Sequence, residues 1–228
     1  MTGVQTCALP IYLTKLRRLC TRYRVLLIAD EVATGFGRTG RMFACEHEGV
    51  KPDLMTISKG LTGGYLPLAA TLTTERIYRA FLGRYEEFKT FFHGHSYTGN
   101  PLGCAVALAN LDIFARERTL HKLQPKIAAL RRLLRPLGEH PHVGDIRQIG
   151  FIVGIELVRD RATKEPYPLA DRIGVRVAEE AKRLGMLIRP LGNVIVLMPP
   201  LSTTMKELRQ MVGIVAKAIK KITGNGGV

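Results

Sequence analysis

Two short apolar runs that each stop at a charge constrain this chain more than any other feature. Val25–Ala29 ends at Asp30 and Glu31, and Leu54–Ser58 ends at Lys59. Brief, nearly continuous apolar runs read as strands buried on both faces, the habit of parallel sheets. A third such run covers Pro67–Leu72. Ahead of the first, Leu13, Leu16, Leu19 and Tyr23 recur at helical spacing, with Lys15, Arg17, Arg18 and Arg22 on other faces, which predicts an amphipathic helix. Helices alternating with buried strands predict an α/β fold. In open sheets of this kind, ligands sit beyond the carboxyl ends of the strands. An acid, Asp30, and an amine, Lys59, are therefore delivered to that edge.

An amine in a dry pocket forms a Schiff base with an aldehyde. A carboxylate facing a pyridine nitrogen keeps it protonated and makes the ring an electron sink. Asp30 and Lys59 together meet the minimum for such a site. Read alone, they are equally two solvated strand ends, since many strands stop at charged residues.

The rest of the chain continues the α/β pattern. Asn100 followed by Pro101 predicts a helix start, with Asn as cap and Pro in the first turn. That helix runs through Cys104, Leu108, Leu111 and Phe114 and is expected to bridge two domains, residues 12–118 and 119–228. In the second, a helix is predicted over Leu123–Leu134, an alternating strand over Ile149–Val158 and a helix over Leu169–Leu184. Short strands at Met186–Ile188 and Val194–Met198 follow, then a helix from Thr204 to about Ile222.

Composition excludes little. Thirty-four Lys and Arg against 19 Asp and Glu give a net charge of +15, which invites a nucleic-acid reading. The basic residues are spread along helix faces without interleaved aromatics, so a solvated basic surface is the better account and no nucleic-acid partner is expected. Cys7, Cys20, Cys45 and Cys104 form no paired motif, which argues against a zinc site or a disulfide framework and suits the cytoplasm. No apolar run is long enough to span a bilayer, so no membrane partner is expected.

Specific motifs surround the two charged strand ends. ADEVATGFGRTG at residues 29–40 continues into FACEH at 43–47; SKGLTGG covers 58–64 and FHGHSYTGNP covers 92–101. In this order and spacing they resemble the class III pyridoxal-phosphate (PLP) aminotransferases, and the resemblance extends over residues 12–228. It implies fold-type I, with residues 12–118 as part of the large cofactor domain and 119–228 as the small C-terminal domain. It also implies that Lys59 is the Schiff-base lysine and general base of a ping-pong transamination. Asp30 would pair with the pyridine nitrogen and Val32 would pack on the ring face. His95 and Ser96 would reach the cofactor phosphate of the neighbouring subunit in a homodimer whose active site lies at the interface. Ala33, the ACEH continuation and RPLGNVIVLMPP at 189–200 look like the branch of the family that aminates 8-amino-7-oxononanoate. There Arg189 would bind the substrate carboxylate and Gly94 would offer a backbone contact to the keto substrate. The amino donor would be S-adenosylmethionine or lysine; HGHSYTGN with KEPYP at 164–168 leans toward lysine. Another class III omega-aminotransferase is the nearest alternative.

Other readings are weaker. GFGRTG at 35–40 fits a dinucleotide fingerprint, but it stands five residues beyond the strand end with no clean helix after it. Asp30-Glu31 also fits a Walker B element, making a nucleic-acid-dependent ATPase the runner-up from another class, although no phosphate-loop lysine motif occurs. His93 with His95, and His140 with His142, lack the carboxylates or cysteines of a metal site, so no metal is expected. Residues 1–11, MTGVQTCALPI, resemble a translated sequencing adapter and are set aside. The family's phosphate loop and ring-stacking aromatic are then expected upstream, and this stretch alone is expected to be inactive and poorly soluble.

Overall fold

A computed structural model describes residues 11–224, which divide into two compact units, residues 11–121 and 122–224. The adapter-like stretch, apart from Ile11, lies outside the described residues.

In the first unit, α1 (Tyr12–Arg22) precedes β1 (Ile28–Asp30), β2 (Leu54–Ile57) and β3 (Ala70–Thr73), followed by the short α2 (Glu75–Arg79) and the long α3 (Pro101–Arg116). β1 and β2 are parallel, with Asp30 opposite Thr56, while β3 runs antiparallel to β2. The Glu48 carboxylate accepts from the Leu13 and Thr14 amides at 3.2 and 2.8 Å, satisfying two donors at the start of α1. Asn100 caps α3, accepting from the Leu102 amide at 3.0 Å. A small core gathers Phe36, Ile57, Leu61 and Ala107, with Phe43 and Phe114 against Phe36.

The first strand is a correction. It was expected to be buried over Val25–Ala29, yet it spans only Ile28–Asp30, and Val25, Leu26 and Ile28 are exposed. The described residues form a sheet of order β1-β2-β3. The third strand likewise begins at Ala70, later than its apolar run.

The division between units falls within α4 (Thr119–Leu134), and α3 lies wholly in the first. The second unit continues with β4 (Val143–Ile149), β5 (Ile152–Asp160), β6 (Glu165–Pro166), α5 (Ile173–Arg183), β7 (Arg189–Leu191), β8 (Val194–Leu197) and α6 (Met205–Gly224). Its antiparallel sheet has the order β4-β5-β8-β7, with β6 on β5. Val153, Ile155 and Leu157 alternate inward from β5 and share one core with Ile195, Leu197 and the inner faces of α4, α5 and α6. Thr204 and Glu207 form a reciprocal capping box at the start of α6, at 2.7 and 3.2 Å.

The second unit differs from expectation at several elements, β6 and β7 among them. β4 was missed because VGDIRQI mixes polar residues into its run; pairing with β5 through a tight turn at Gly150–Phe151 makes it a strand. The helix expected from Leu169 starts at Ile173, after a 3-10 turn at Leu169–Asp171. Met186–Ile188 is not a strand. The turn at Gly192–Asn193 sets the register, so Arg189, Pro190 and Leu191 face Val196, Ile195 and Val194. Gly174 is required beneath that hairpin: a Cβ there would lie 2.2 Å from the Gly192 carbonyl oxygen.

Candidate active site

The candidate site is built at the carboxyl ends of β1 and β2. Asp30 ends β1 opposite Thr56, and Lys59 stands two residues past the end of the adjacent parallel strand β2. Both side chains are exposed. Asp30 Oδ1 accepts from the Val32 amide at 3.0 Å and from Thr56 Oγ1 at 3.3 Å, which fixes the carboxylate against its own loop and the neighbouring strand.

Lys59 opens a 3-10 turn, Lys59–Thr62, with a left-handed backbone at φ +46°. For a residue with a side chain that conformation costs roughly 1–2 kcal/mol, and such strain gathers where surrounding structure holds a functional group in place. The turn is tied at both ends: Ser58 Oγ donates to the Leu68 carbonyl at 2.8 Å and Thr62 Oγ1 to the Leu66 carbonyl at 2.6 Å. Gly60 lets the turn lie on Phe36, because a Cβ there would sit 2.7 Å from Phe36 Cβ.

Glu31 has a role that the sequence reading did not find. Strand alternation sends it to the face opposite Asp30, where it is 2% exposed. Its carboxylate accepts from the amides of Ala44 at 3.0 Å and Cys45 at 2.8 Å, and from the Thr34 hydroxyl. It thereby closes the glycine-rich loop after β1 onto the 3-10 helix at Ala44–Glu48. A Walker B acid must face a nucleotide's metal; this one is spent on the protein's own backbone. Burial, then the Glu31 charge, push the Cys45 thiol up to about 11.

Gly94, His95 and Ser96 lie in an exposed turn ahead of α3. The His95 amide donates to Thr98 Oγ1 at 2.9 Å, and His95 Nδ1 accepts from the Tyr97 amide at 3.1 Å. Among the described residues no hydrogen bond joins this turn to Asp30 or Lys59. Arg189 belongs to the other unit. It begins β7, is exposed, and lines a groove of about 820 Å³ with Leu187, Leu191, Met198, Met211 and Ile214.

His142 Nδ1 lies 2.8 Å from the Tyr167 hydroxyl and 3.2 Å from the Val158 carbonyl, so it knits loops together. Among the described residues no cluster of three or more His, Cys, Asp or Glu is placed to hold a metal, and no helix is long and apolar enough to cross a membrane.

The family profile described as Aminotransferase class-III matches residues 2–219. The chain belongs to the class III aminotransferases. A relative in Anoxybacillus flavithermus, named adenosylmethionine-8-amino-7-oxononanoate aminotransferase, is 57% identical over 216 residues, covering 95% of this chain and 48% of the relative. A relative of the same name in Nitratidesulfovibrio vulgaris is 59% identical over 215 residues, covering 94% of this chain and 40% of its own. The crystal structure of the Methanocaldococcus jannaschii protein of that name superposes with a TM-score of 0.89 at 52% identity, covering 92% of this chain and 49% of that one. This class III chain thus spans about half the length of the curated relatives it matches. Its architecture is the α/β fold of the fold-type I PLP-dependent transferases.

Proposed function

We propose that the protein carrying this chain is a PLP-dependent aminotransferase that converts 8-amino-7-oxononanoate to 7,8-diaminononanoate in biotin biosynthesis. The amino group would come from S-adenosylmethionine or lysine. One observation carries the reading: an amine on a strained backbone and a braced carboxylate stand at the carboxyl ends of adjacent parallel strands. The names and identities of the relatives support the choice of substrate.

The donor set fits a pyridine aldehyde. When bound, PLP supplies an electron sink that stabilises negative charge at the substrate carbon. Lys59 would hold the cofactor through its amine and would carry the proton at the reacting carbon as general base. Asp30 keeps the ring nitrogen protonated, and its two internal hydrogen bonds hold its orientation. Val32 packs against the ring face. Arg189 binds the substrate carboxylate with its planar fork, and Gly94 contacts the keto substrate through its backbone.

His95 and Ser96 serve the phosphate of the neighbouring subunit across a homodimer interface. Exposed aromatics beside them, Phe92 at 76% and Tyr97 at 76%, support an interface there. Residues 12–118 belong to the large cofactor domain and 119–228 to the small one. The free thiols at Cys20, Cys45 and Cys104 support a cytoplasmic setting.

The test is Lys59→Ala in the protein carrying this chain. It should remove the visible absorbance of the lysine-bound cofactor and leave transamination undetectable. Turnover retained by the variant would overturn the assignment.

A further inference from the structure

One polar side chain stands on the otherwise apolar face that α3 turns to the Lys59 loop. Gly103, Ala107, Asn110 and Phe114 recur at helical spacing. Gly103 lies beneath Leu68, Ala107 shares the small core with Leu61, and Phe114 stacks edge-on against Phe36 at 6.4 Å. Asn110 interrupts that stripe. Its Nδ2 donates to the Gly60 carbonyl at 2.8 Å and to the Leu61 carbonyl at 3.1 Å, so one amide nitrogen grips successive carbonyls of the turn that Lys59 opens.

A polar group at a packed helix face normally has a specific partner, and here the partner is backbone 50 residues away. The grip lands where it is needed. Lys59 is left-handed, and in the turn after it the Leu61 amide donates to the Ser58 carbonyl at 3.0 Å and the Gly63 amide to the Gly60 carbonyl at 3.2 Å. Gly63 crowds against the other atom of the same amide, since a Cβ there would lie 3.3 Å from Asn110 Oδ1. The opposite end of α3 carries the turn of His95 and Ser96.

We infer that Asn110 is a positioning residue for Lys59: its double hydrogen bond holds the Lys59–Thr62 turn in the strained form that aims the amine at the cofactor site. The inference rests on Lys59 being the cofactor lysine. Asn110 touches neither cofactor nor substrate; it acts through the backbone of Gly60 and Leu61.

The experiment uses Asn110→Ala and the equally sized Asn110→Asp, both of which lose the two donors. In each, kcat should fall between about 10-fold and 100-fold while KM for either substrate moves less than about threefold. In the cofactor-free protein, deuterium exchange at the Leu61 and Gly63 amides should speed up by at least about tenfold, with exchange across β2 unchanged. Wild-type kcat and unchanged exchange in both variants would overturn the inference. Faster exchange throughout β2 and α3, with activity falling in step with the folded fraction, would also overturn it, because that is loss of packing. Lys59→Ala measured alongside separates the two claims. If it retains turnover, the reading of Lys59 fails; if it is inactive while the Asn110 variants match wild-type kcat, only the role of Asn110 fails.

Discussion

The Glu31 carboxylate accepts the Cys45 amide at 2.8 Å, and this contact couples the loop that follows Asp30 to the 3-10 helix beyond it. Two consecutive acids at one strand end thus do different work. Asp30 faces the candidate site, while Glu31 faces inward and holds the loop closed.

That coupling predicts the behaviour of a thiol. Burial and the adjacent Glu31 charge raise Cys45 to about 11, so almost none of it is thiolate near neutrality. At about pH 8, iodoacetamide should alkylate Cys45 in the native protein at least about tenfold more slowly than in urea. Equal rates in the two states would show that the loop is open. Glu31→Gln removes the charge and weakens the hydrogen bonds, and should lower stability by roughly 2–4 kcal/mol in denaturant melts.

A second carboxylate sets an acid limit on the C-terminal unit. Glu180, its side chain 4% exposed, accepts from Lys221 at 2.9 Å and Arg183 at 3.2 Å, and joins α5 to α6. The bond from Lys221, then that from Arg183, hold its carboxyl below the usual value of 4.5. A group whose pKa is depressed by folding contributes its full stability above the unfolded value and loses it as pH falls through the folded one. Lys221→Met should therefore lower Tm most near neutrality. The gap from wild type should narrow as the medium is acidified below about 4.5. A gap independent of pH would place the effect of Lys221 elsewhere.

Arg189→Lys keeps the charge and loses the planar fork. KM for the keto acid should rise by about tenfold or more, with cofactor affinity little changed. An unchanged KM would remove Arg189 from substrate binding.

Much of the fold could be read from local pattern, and the exceptions share one cause. α1, α3, α4 and α6 announce themselves through periodicity and caps, such as Asn100 before Pro101 and Thr204 before Glu207. β4 and β7 do not, because VGDIRQI and RPL acquire strand character only from the partners that two-residue turns bring beside them.

The candidate site divides in the same way. Asp30 and Lys59 stand out as charges that end apolar runs. The left-handed backbone of Lys59, the inward turn of Glu31 and the grip of Asn110 depend on groups distant in sequence. The polar interruption of the Gly103–Ala107–Phe114 stripe was the one local sign of Asn110.

The most direct test of the central claim is borohydride reduction of the PLP-loaded protein carrying this chain, followed by peptide mass spectrometry. The account predicts a single reduced cofactor adduct on the peptide containing Lys59, absent from Lys59→Ala. An adduct on another lysine, or none in a protein that still transaminates, would contradict it.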